Sequence, residues 1–303
     1  MADFLTFADL IDECERGLKQ YGGAKGDLVK NMINMVYLNE IIVVDNLYPL
    51  HWLVDFDDTL ASKAPSVISG ITEADPGVIT TSADHGLAVG DIISIYSIVG
   101  MTELNNRMFK VATVPSATTL DLIDIDDVDA IDTSGYTAYS SGGVINHRGI
   151  PLATTGKNVQ RFLRCFWHDE GDMEKILNEE LEKDTQWWDS STGLPEKYYH
   201  RKKYTIAGVE SNHLLWFLGA DAAYDLRYWF ELRPPKLVET TDVPLLPYNF
   251  HNTIVAGVLT RLSEQGVQVE NQVIWPGIYT SQLEQIKQFN RKWYKENKHY
   301  LTP

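Results

Sequence analysis

Residues 71–145 constrain the fold more than any other part of the chain, because they are rich in β-forming residues and show no helical periodicity. Turn residues divide this stretch into short runs of Thr, Ser, Val and Ile. Four of these runs are β-strand candidates: 78–81, 92–96, 109–114 and 119–122. Several short strands so close together predict a small β-barrel, placed as a separate module inside the flanking sequence.

The N-terminal flank predicts two helices. Thr6 is the expected N-cap of the first, with Asp9 at the third helical position, and Gly22-Gly23 should end it. Asp27 should cap a second helix with a broad apolar face. Helices this apolar need packing partners, either within the fold or in an oligomer.

The C-terminal flank predicts a mixture of helices and strands. Helices are expected at 158–167 (where a strand is an open alternative), 172–184 and 248–265, and a last one should open at Trp275-Pro276. The β candidates are 198–206, 213–218 and 224–232. The last helix should bury the stripe Tyr279, Leu283, Ile286, Phe289 and Trp293.

Charge and composition exclude some classes of function. The chain has 26 Lys and Arg residues against 42 Asp and Glu, a net charge of −16, so its surface as a whole repels phosphate and is not expected to read DNA or RNA sequence. No apolar run approaches the roughly 20 residues of a membrane helix. Two cysteines and an acidic N-terminal stretch predict a soluble chain made in a cytosol.

One motif resembles the first motif of the haloacid dehalogenase phosphatases. Asp55 would be the nucleophile and Asp57 the general acid, preceded by Leu53-Val54. Lys110 and Asp126-Asp127 follow in the required order, but they fall within the short-strand stretch, without βαβ alternation. The phosphatase therefore remains only a remote alternative, and an exposed acidic strand end is favoured.

Metal sites have little support in the sequence. The aspartates between Asp121 and Asp132 alternate with apolar residues, so a calcium site formed by their carboxylates is one alternative. The spacing is not that of an EF-hand, and it is typical of the solvent-exposed face of a strand. No HExxH, CxxC or GxSxG motif occurs. We therefore expect no catalytic residue, no cofactor and no metal.

The barrel stretch resembles the FCCH-like domain, a β-barrel named after ubiquitin-activating enzymes and frequent as an insertion in tailed-phage structural proteins. The resemblance covers nearly all of 71–145. It rests on His85-Gly86, Gly90-Asp91, Gly100-Met101, Asn105 and the segment 136–143. The adenylation domains and catalytic cysteine of those enzymes are absent from this sequence, so ubiquitin chemistry is not implied.

The flanks resemble head-to-tail adaptor (connector) proteins of tailed phages. This resemblance rests on the Asn34-containing helix that leads to Trp52, on Gly193-Leu194-Pro195, on 224–230 with Arg233-Pro234-Pro235, and on Leu246-Pro247 before a helix. It implies an α+β fold: a helical adaptor body with a small antiparallel β region at 1–70 and 146–303, plus an inserted small β-barrel at 71–145.

The same resemblance implies a non-enzymatic virion protein of the neck, assembled in the host cytoplasm. It would form a ring, commonly dodecameric, bind the portal protein, extend the channel for double-stranded DNA and contact a tail or nozzle protein. The barrel would decorate the outside or meet a tail fibre, and no membrane is involved. A tail-tube or fibre-attachment protein is the alternative.

The last helix is the expected portal-docking element, because it is basic and aromatic in an otherwise acidic chain. The docking residues expected on it are Phe289, Lys292, Trp293, Tyr294, Lys295 and Lys298.

Overall fold

The computed structural model describes residues 4–18, 26–125, 127, 129–152, 158–167, 171–176, 191–204 and 210–297. The chain divides into two compact units. The first combines Met1–Asp55 with Glu231–Pro303, and the second is Phe56–Phe230. The sequence-based boundaries of the barrel fall on the last residue of one strand, Ile71, and in the middle of another, at Ile145.

The first unit is helical. Its α-helices are α1 (Phe7–Arg16), α2 (Gly26–Val36), α3 (His251–Glu264) and α4 (Trp275–Glu296). A π-helical turn, Tyr37–Ile41, continues α2, and 3-10 turns lie at His51–Leu53 and Tyr248–Phe250. The predicted cap of α1 is confirmed, because the Thr6 hydroxyl accepts from the Asp9 N–H at 3.3 Å and the Asp9 carboxylate accepts from the Thr6 N–H at 2.8 Å. The expected stop at Gly22-Gly23 lies outside the described residues.

Helix α3 forms the centre of this unit. Ten of its 14 residues are buried, so neighbouring elements cover it on nearly every side. Gly257 permits the closest approach: a Cβ atom there would lie 2.6 Å from Val36 and 2.8 Å from Tyr279. The absence of a side chain at Gly257 therefore lets α2 and α4 pack directly against the α3 backbone.

The second unit contains a closed six-stranded antiparallel barrel, so the predicted small β-barrel is confirmed, with more strands than the four candidates named from the sequence. Its strands are β2 (Ser66–Ile71), β3 (Val78–Thr81), β4 (Ile92–Val99), β5 (Arg107–Ser116), β6 (Thr119–Asp124) and β7 (Ser141–Pro151). They pair in the order β7-β2-β3-β6-β5-β4, and β4 closes the barrel on β7. The interior is apolar and includes Ile79, Ile93, Ile95, Phe109 and Leu120, all nearly inaccessible to solvent.

Sheets continue beyond the barrel. The preceding strand is β1 (Val54–Ala61), and the later ones are β8 (Val159–Trp167), β9 (Gly171–Asp172), β10 (Glu174–Lys175), β11 (Thr192–Gly193), β12 (Lys197–Tyr204), β13 (Glu210–Trp216), β14 (Gly219–Ala220) and β15 (Asp225–Leu232). The end of β7 pairs with β13, which extends the barrel sheet through β12 to β10. A second sheet has the order β1-β15-β8-β9, and β11 pairs with β14.

The predicted fold class is wrong, because β structure predominates. Strands account for 36% and helices for 28% of the described residues, so the chain is not a helical adaptor body with a small β region. The helix expected at 158–167 is strand β8, and the start of the helix expected at 172–184 is extended at 171–175; residues 177–184 lie outside the described part.

The error at β8 has a physical reason. Val159, Phe162 and Cys165 are buried at intervals of three, which imitates a helical stripe. The Phe162 ring instead packs on Tyr228 of β15, with ring centroids 5.3 Å apart. Pairing with a strand more than 60 residues away decides the conformation, and local periodicity does not reveal it.

Candidate docking surface

Helix α4 begins with Pro276 in its first turn, where the missing N–H leaves no hydrogen bond unmade. Its buried residues are Tyr279, Ile286, Asn290 and Tyr294. Phe289 is 42% exposed, so the predicted stripe is wrong at that position. The helix turns Asn290 and Tyr294 inward, and Phe289 lies at the margin of the core.

Asn290 is completely buried and uses both ends of its amide. Its oxygen accepts from the His51 N–H at 2.9 Å, and its nitrogen donates to Asp45 and to the Pro49 carbonyl, both at 3.2 Å. A buried amide without these partners would be strongly destabilising. The hydrogen bonds therefore fix the segment 45–51 against α4.

An ion pair adds to this attachment. The Arg291 guanidinium lies 3.2 Å from the buried Asp45 carboxylate. Burial raises the pKa of Asp45, but hydrogen bonds from Arg291, the Leu47 N–H and Asn290 outweigh burial and hold that pKa below its usual value. Asp45 is therefore ionised at neutral pH, and Arg291 is committed to it.

Aromatic rings cover this attachment. The His51 ring stacks on Trp293 with centroids 4.8 Å apart and planes 5° from parallel, and it lies 5.3 Å from the Phe289 ring. Burial lowers the pKa of His51, and the hydrogen bond with Asn290 opposes that shift only in part. The stacked imidazole is therefore neutral at pH 7. We call Leu47, Tyr48, His51, Trp52, Phe289 and Trp293 the α4 aromatic surface.

The expected docking residues do not all lie on this surface. Tyr294 is only 8% exposed and stacks on Tyr48 at 4.8 Å, so it supports the surface from below. Lys292 and Lys295 are exposed on α4, with Lys292 3.8 Å from Glu296, and the helical spacing turns Lys295 away from Trp293. Lys298 lies outside the described residues.

Sequence reasoning missed the contribution of the 47–52 segment. Leu47 is 70% exposed and Tyr48 44% exposed. The signal available in the sequence was the run of apolar and aromatic residues at 47–52, soon after the second predicted helix. Their neighbours on α4 are about 240 positions away, so the sequence does not show that the two segments meet.

The phosphatase motif occupies strand β1. Asp57 is 5% exposed, and its carboxylate accepts from the Thr59 N–H at 2.7 Å and from the Thr59 hydroxyl at 2.6 Å. Lys110 donates to the Asp127 carbonyl at 3.5 Å, and Asp126 is outside the described residues. Asp57 therefore has a structural role, because its carboxylate binds the backbone and the side chain of Thr59 in the same strand.

The aspartate-rich segment is held by protein contacts. Asp124 pairs with Arg107 at 2.7 Å, and Asp121 accepts from the Thr113 hydroxyl at 2.6 Å. Within the described part of the chain, no group of three or more His, Cys, Asp or Glu residues is placed to hold a metal ion. None of the described helices is long and apolar enough to span a membrane.

A cavity of about 300 Å³ lies in the second unit beside the end of β8. Two of its polar groups are engaged: the Trp167 indole donates to the Pro195 carbonyl at 2.6 Å, and Arg164 donates three hydrogen bonds of 2.7, 2.8 and 3.0 Å to the Asp172 carboxylate. Glu174 and Glu196, both exposed, also line the cavity.

The residues that carry the barrel resemblance hold its turns. The Asn105 amide clamps Ile98, accepting from its N–H and donating to its carbonyl, both at 2.9 Å. Gly100 has φ +96°, and a Cβ atom there would collide with the backbone of Ala138. His85 accepts from the Leu87 N–H at 3.0 Å, and Asp91 accepts from the Ala88 N–H at 2.8 Å.

Comparison with known proteins agrees with this geometry. No curated protein matches the chain at a significant level. Residues 74–148, about a quarter of the chain, match the family model of the ubiquitin-activating enzyme E1 FCCH domain, and the match runs from just before β3 into β7. The chain therefore carries an FCCH-like domain at 74–148, a domain that is non-catalytic in the ubiquitin-activating enzymes.

Proposed function

We propose that the chain is a structural, non-enzymatic adaptor of the tailed-phage virion neck, which docks on the portal protein and continues the DNA channel towards the tail. The α4 aromatic surface is the observation that carries this proposal. It is a group of aromatic and apolar side chains on a helical unit, in which Leu47, Tyr48 and Phe289 are exposed and His51, Trp52 and Trp293 are partly buried. Groups of this composition supply most of the binding energy of protein interfaces.

The rigidity of this surface favours docking. Asn290 and the Asp45–Arg291 pair fix the segment and helix that bear the rings before any partner binds. Binding then orders few additional side chains, which lowers its entropic cost. Lys292 and Lys295 are exposed on the same helix, and their positive charge would speed encounter with an acidic partner patch.

The remaining parts of the proposal follow the resemblance to connector proteins. Copies of the chain form a ring, whose contacts include a tail or nozzle protein, and the FCCH-like domain faces outward or towards a fibre. A net charge of −16 suits a DNA channel, because a repelled duplex moves without sticking. Assembly takes place in the host cytoplasm.

The proposal is tested by measuring binding to the portal protein of the same virus. Phe289→Ala should weaken binding by about 2 kcal/mol, close to 30-fold, because a central aromatic anchor is lost. Tyr248→Ala is the matched control, since Tyr248 is 57% exposed on the same unit and packs on Phe4. Wild-type affinity in Phe289→Ala would refute docking through this surface.

A second pair of variants separates the role of charge. Lys292→Ala with Lys295→Ala should slow association and reduce its salt dependence while dissociation stays nearly unchanged. Binding to a tail or fibre protein, with none to the portal, would favour the tail-tube or fibre-attachment alternative.

A further inference from the structure

The outward face of α4 carries almost no charge over its first four turns. Among the exposed residues from Asn271 to Phe289, Glu284 is the only charged one, and its carboxylate lies 3.8 Å from the Lys287 ammonium group. In the whole chain, 22% of the residues are charged. An exposed face so poor in charge has the composition of an interface core, where charged residues are depleted.

Apolar side chains lie along this face. Ile274, Ile278 and Phe289 are all exposed, and the helical repeat places them on one side of α4, together with Ser281 and Gln285. We call these five residues the α4 outer stripe. Phe289 is the only one of them that also belongs to the α4 aromatic surface.

Gly277 lies beside this stripe in the first turn of α4. A Cβ atom at Gly277 would come within 4 Å of none of the described residues, so their packing does not require a glycine there. Glycine is the least favourable helix residue after proline. Its presence is explained if the space above it is used by a second chain.

The stripe is complementary to itself when two copies of α4 lie antiparallel. Ser281 is close to the midpoint between Ile274 and Phe289, so two helices that cross there bring Ile274 of each copy against Phe289 of the other. The Phe289 ring then enters the space above Gly277.

The ends of the stripe also match in charge. Lys292 lies one turn beyond Phe289, Glu270 lies one turn before Ile274, and both are exposed. The antiparallel arrangement places Lys292 of each copy beside Glu270 of the other, whereas a parallel one would place Lys292 against Lys292. Lys292 also lies 3.8 Å from Glu296 of its own chain, but an exposed pair of this kind is weak and leaves the ammonium group accessible.

We propose that the free protein forms a two-fold symmetric dimer, in which α4 pairs antiparallel with α4 of a second copy through the α4 outer stripe. The stripe is about 22 Å long, and one helix face of this length is smaller than the roughly 800 Å² per partner of a stable complex. The dimer is therefore weak and reversible. It does not rest on the proposed docking function, but Phe289 belongs to both surfaces, so one copy cannot use both at once.

The test is sedimentation velocity of the full-length protein alone, over a range of micromolar concentrations. We expect a reversible, concentration-dependent shift from monomer to dimer. A monomer at every concentration, or an assembly larger than a dimer, would overturn the proposal. Because no portal protein is present, this result is separate from the outcome of the docking test.

Gly277→Gln tests the contact with little risk to the fold. Its side chain fills the space that the dimer needs, at both ends of the contact, and should weaken dimerisation at least tenfold. The thermal midpoint of the monomer should equal that of wild type or rise, because glutamine favours a helix.

A second variant introduces a charge instead. Ile278→Lys should also weaken the dimer at least tenfold, because it places an ammonium group in the contact. Val238→Lys adds the same charge at another exposed apolar position of the first unit and should dimerise like wild type. Wild-type dimerisation of Gly277→Gln or of Ile278→Lys would contradict the proposal.

Reversed charges test the direction of the pairing. Lys292→Glu should weaken the dimer about fivefold, because carboxylates then oppose each other at both ends. Adding Glu270→Lys to the same chain should restore the wild-type affinity. A double variant as weak as Lys292→Glu alone would overturn the antiparallel arrangement.

Discussion

Single side chains in this protein owe their roles to partners distant in sequence. Asn290 is polar and lies on a helix face predicted to be apolar, yet it is one of the most buried residues because Asp45, Pro49 and His51 satisfy its amide. Residue type and spacing cannot reveal such burial, since the partners lie about 240 positions earlier. Thr6 shows the reverse case: its capping partner is three residues away, and the cap was predictable.

At the same scale, Asp57 separates the structural interpretation from the phosphatase alternative. Asp57→Asn keeps an oxygen that can accept from Thr59, whereas Asp57→Ala removes it and should cost about 1–2 kcal/mol of unfolding free energy. Chemical denaturation of the two variants measures this difference. A magnesium-dependent phosphatase activity that Asp57→Asn abolishes would contradict the structural interpretation.

At the scale of elements, α4 is both core and surface. Ile286, Asn290 and Tyr294 fill the interior of the first unit, while Phe289 and Trp293 belong to the α4 aromatic surface. The existence and start of this helix were predictable from Trp275-Pro276 and its spacing. The orientation of the helix about its own axis was not predictable, because a buried stripe that includes Phe289 and one that includes Asn290 differ by only one position.

Truncation of the chain after Gln285 therefore should not be a clean test of docking. It removes the fully buried Ile286 together with the Asn290 hydrogen bonds, and each loss alone costs about 1–5 kcal/mol. We expect the helical signal in circular dichroism to melt at a clearly lower temperature. The double variant Lys292→Ala, Lys295→Ala is the control and should melt like wild type. An unchanged midpoint in the truncated chain would mean that α4 contributes little to the core.

At the scale of the whole molecule, each unit has a core of its own. The core of the first contains Phe7, Ile33, Leu53, Ile254 and Ile286, and among the described residues the buried core of the barrel runs from Ile68 to Ile145. The barrel could be predicted because recognisable turns separate its short strands and because β2–β3, β4–β5 and β5–β6 are hairpins. The pairings β3–β6, β2–β7 and β4–β7, which close the barrel, join strands that are not consecutive. The sheets outside it could not, since β1 pairs with β15 across about 170 residues and β7 with β13 across about 65.

Replacement of 71–145 by a Gly/Ser linker should affect the units differently. The first unit should keep its helical signal and a cooperative melting transition, because its core loses no residue. The remaining strands of the second unit should be destabilised, because β7 would lose Ser141–Ile145 and its neighbour β4. Circular dichroism at helix- and strand-sensitive wavelengths follows both. Loss of the helical transition would show that the cores depend on each other.

The position of β1 at the margin of its sheet has a consequence for solubility. In the part of the chain that the structure describes, β1 pairs only with β15, and its other side would be open to a strand from a second molecule. Asp55 is partly exposed and Asp58 is exposed on this strand, so an incoming strand would have to desolvate their carboxylates in a chain already rich in negative charge. The opposite margin, β9, is only two residues long. The exposed carboxylates on β1 thus oppose aggregation through this margin of the sheet.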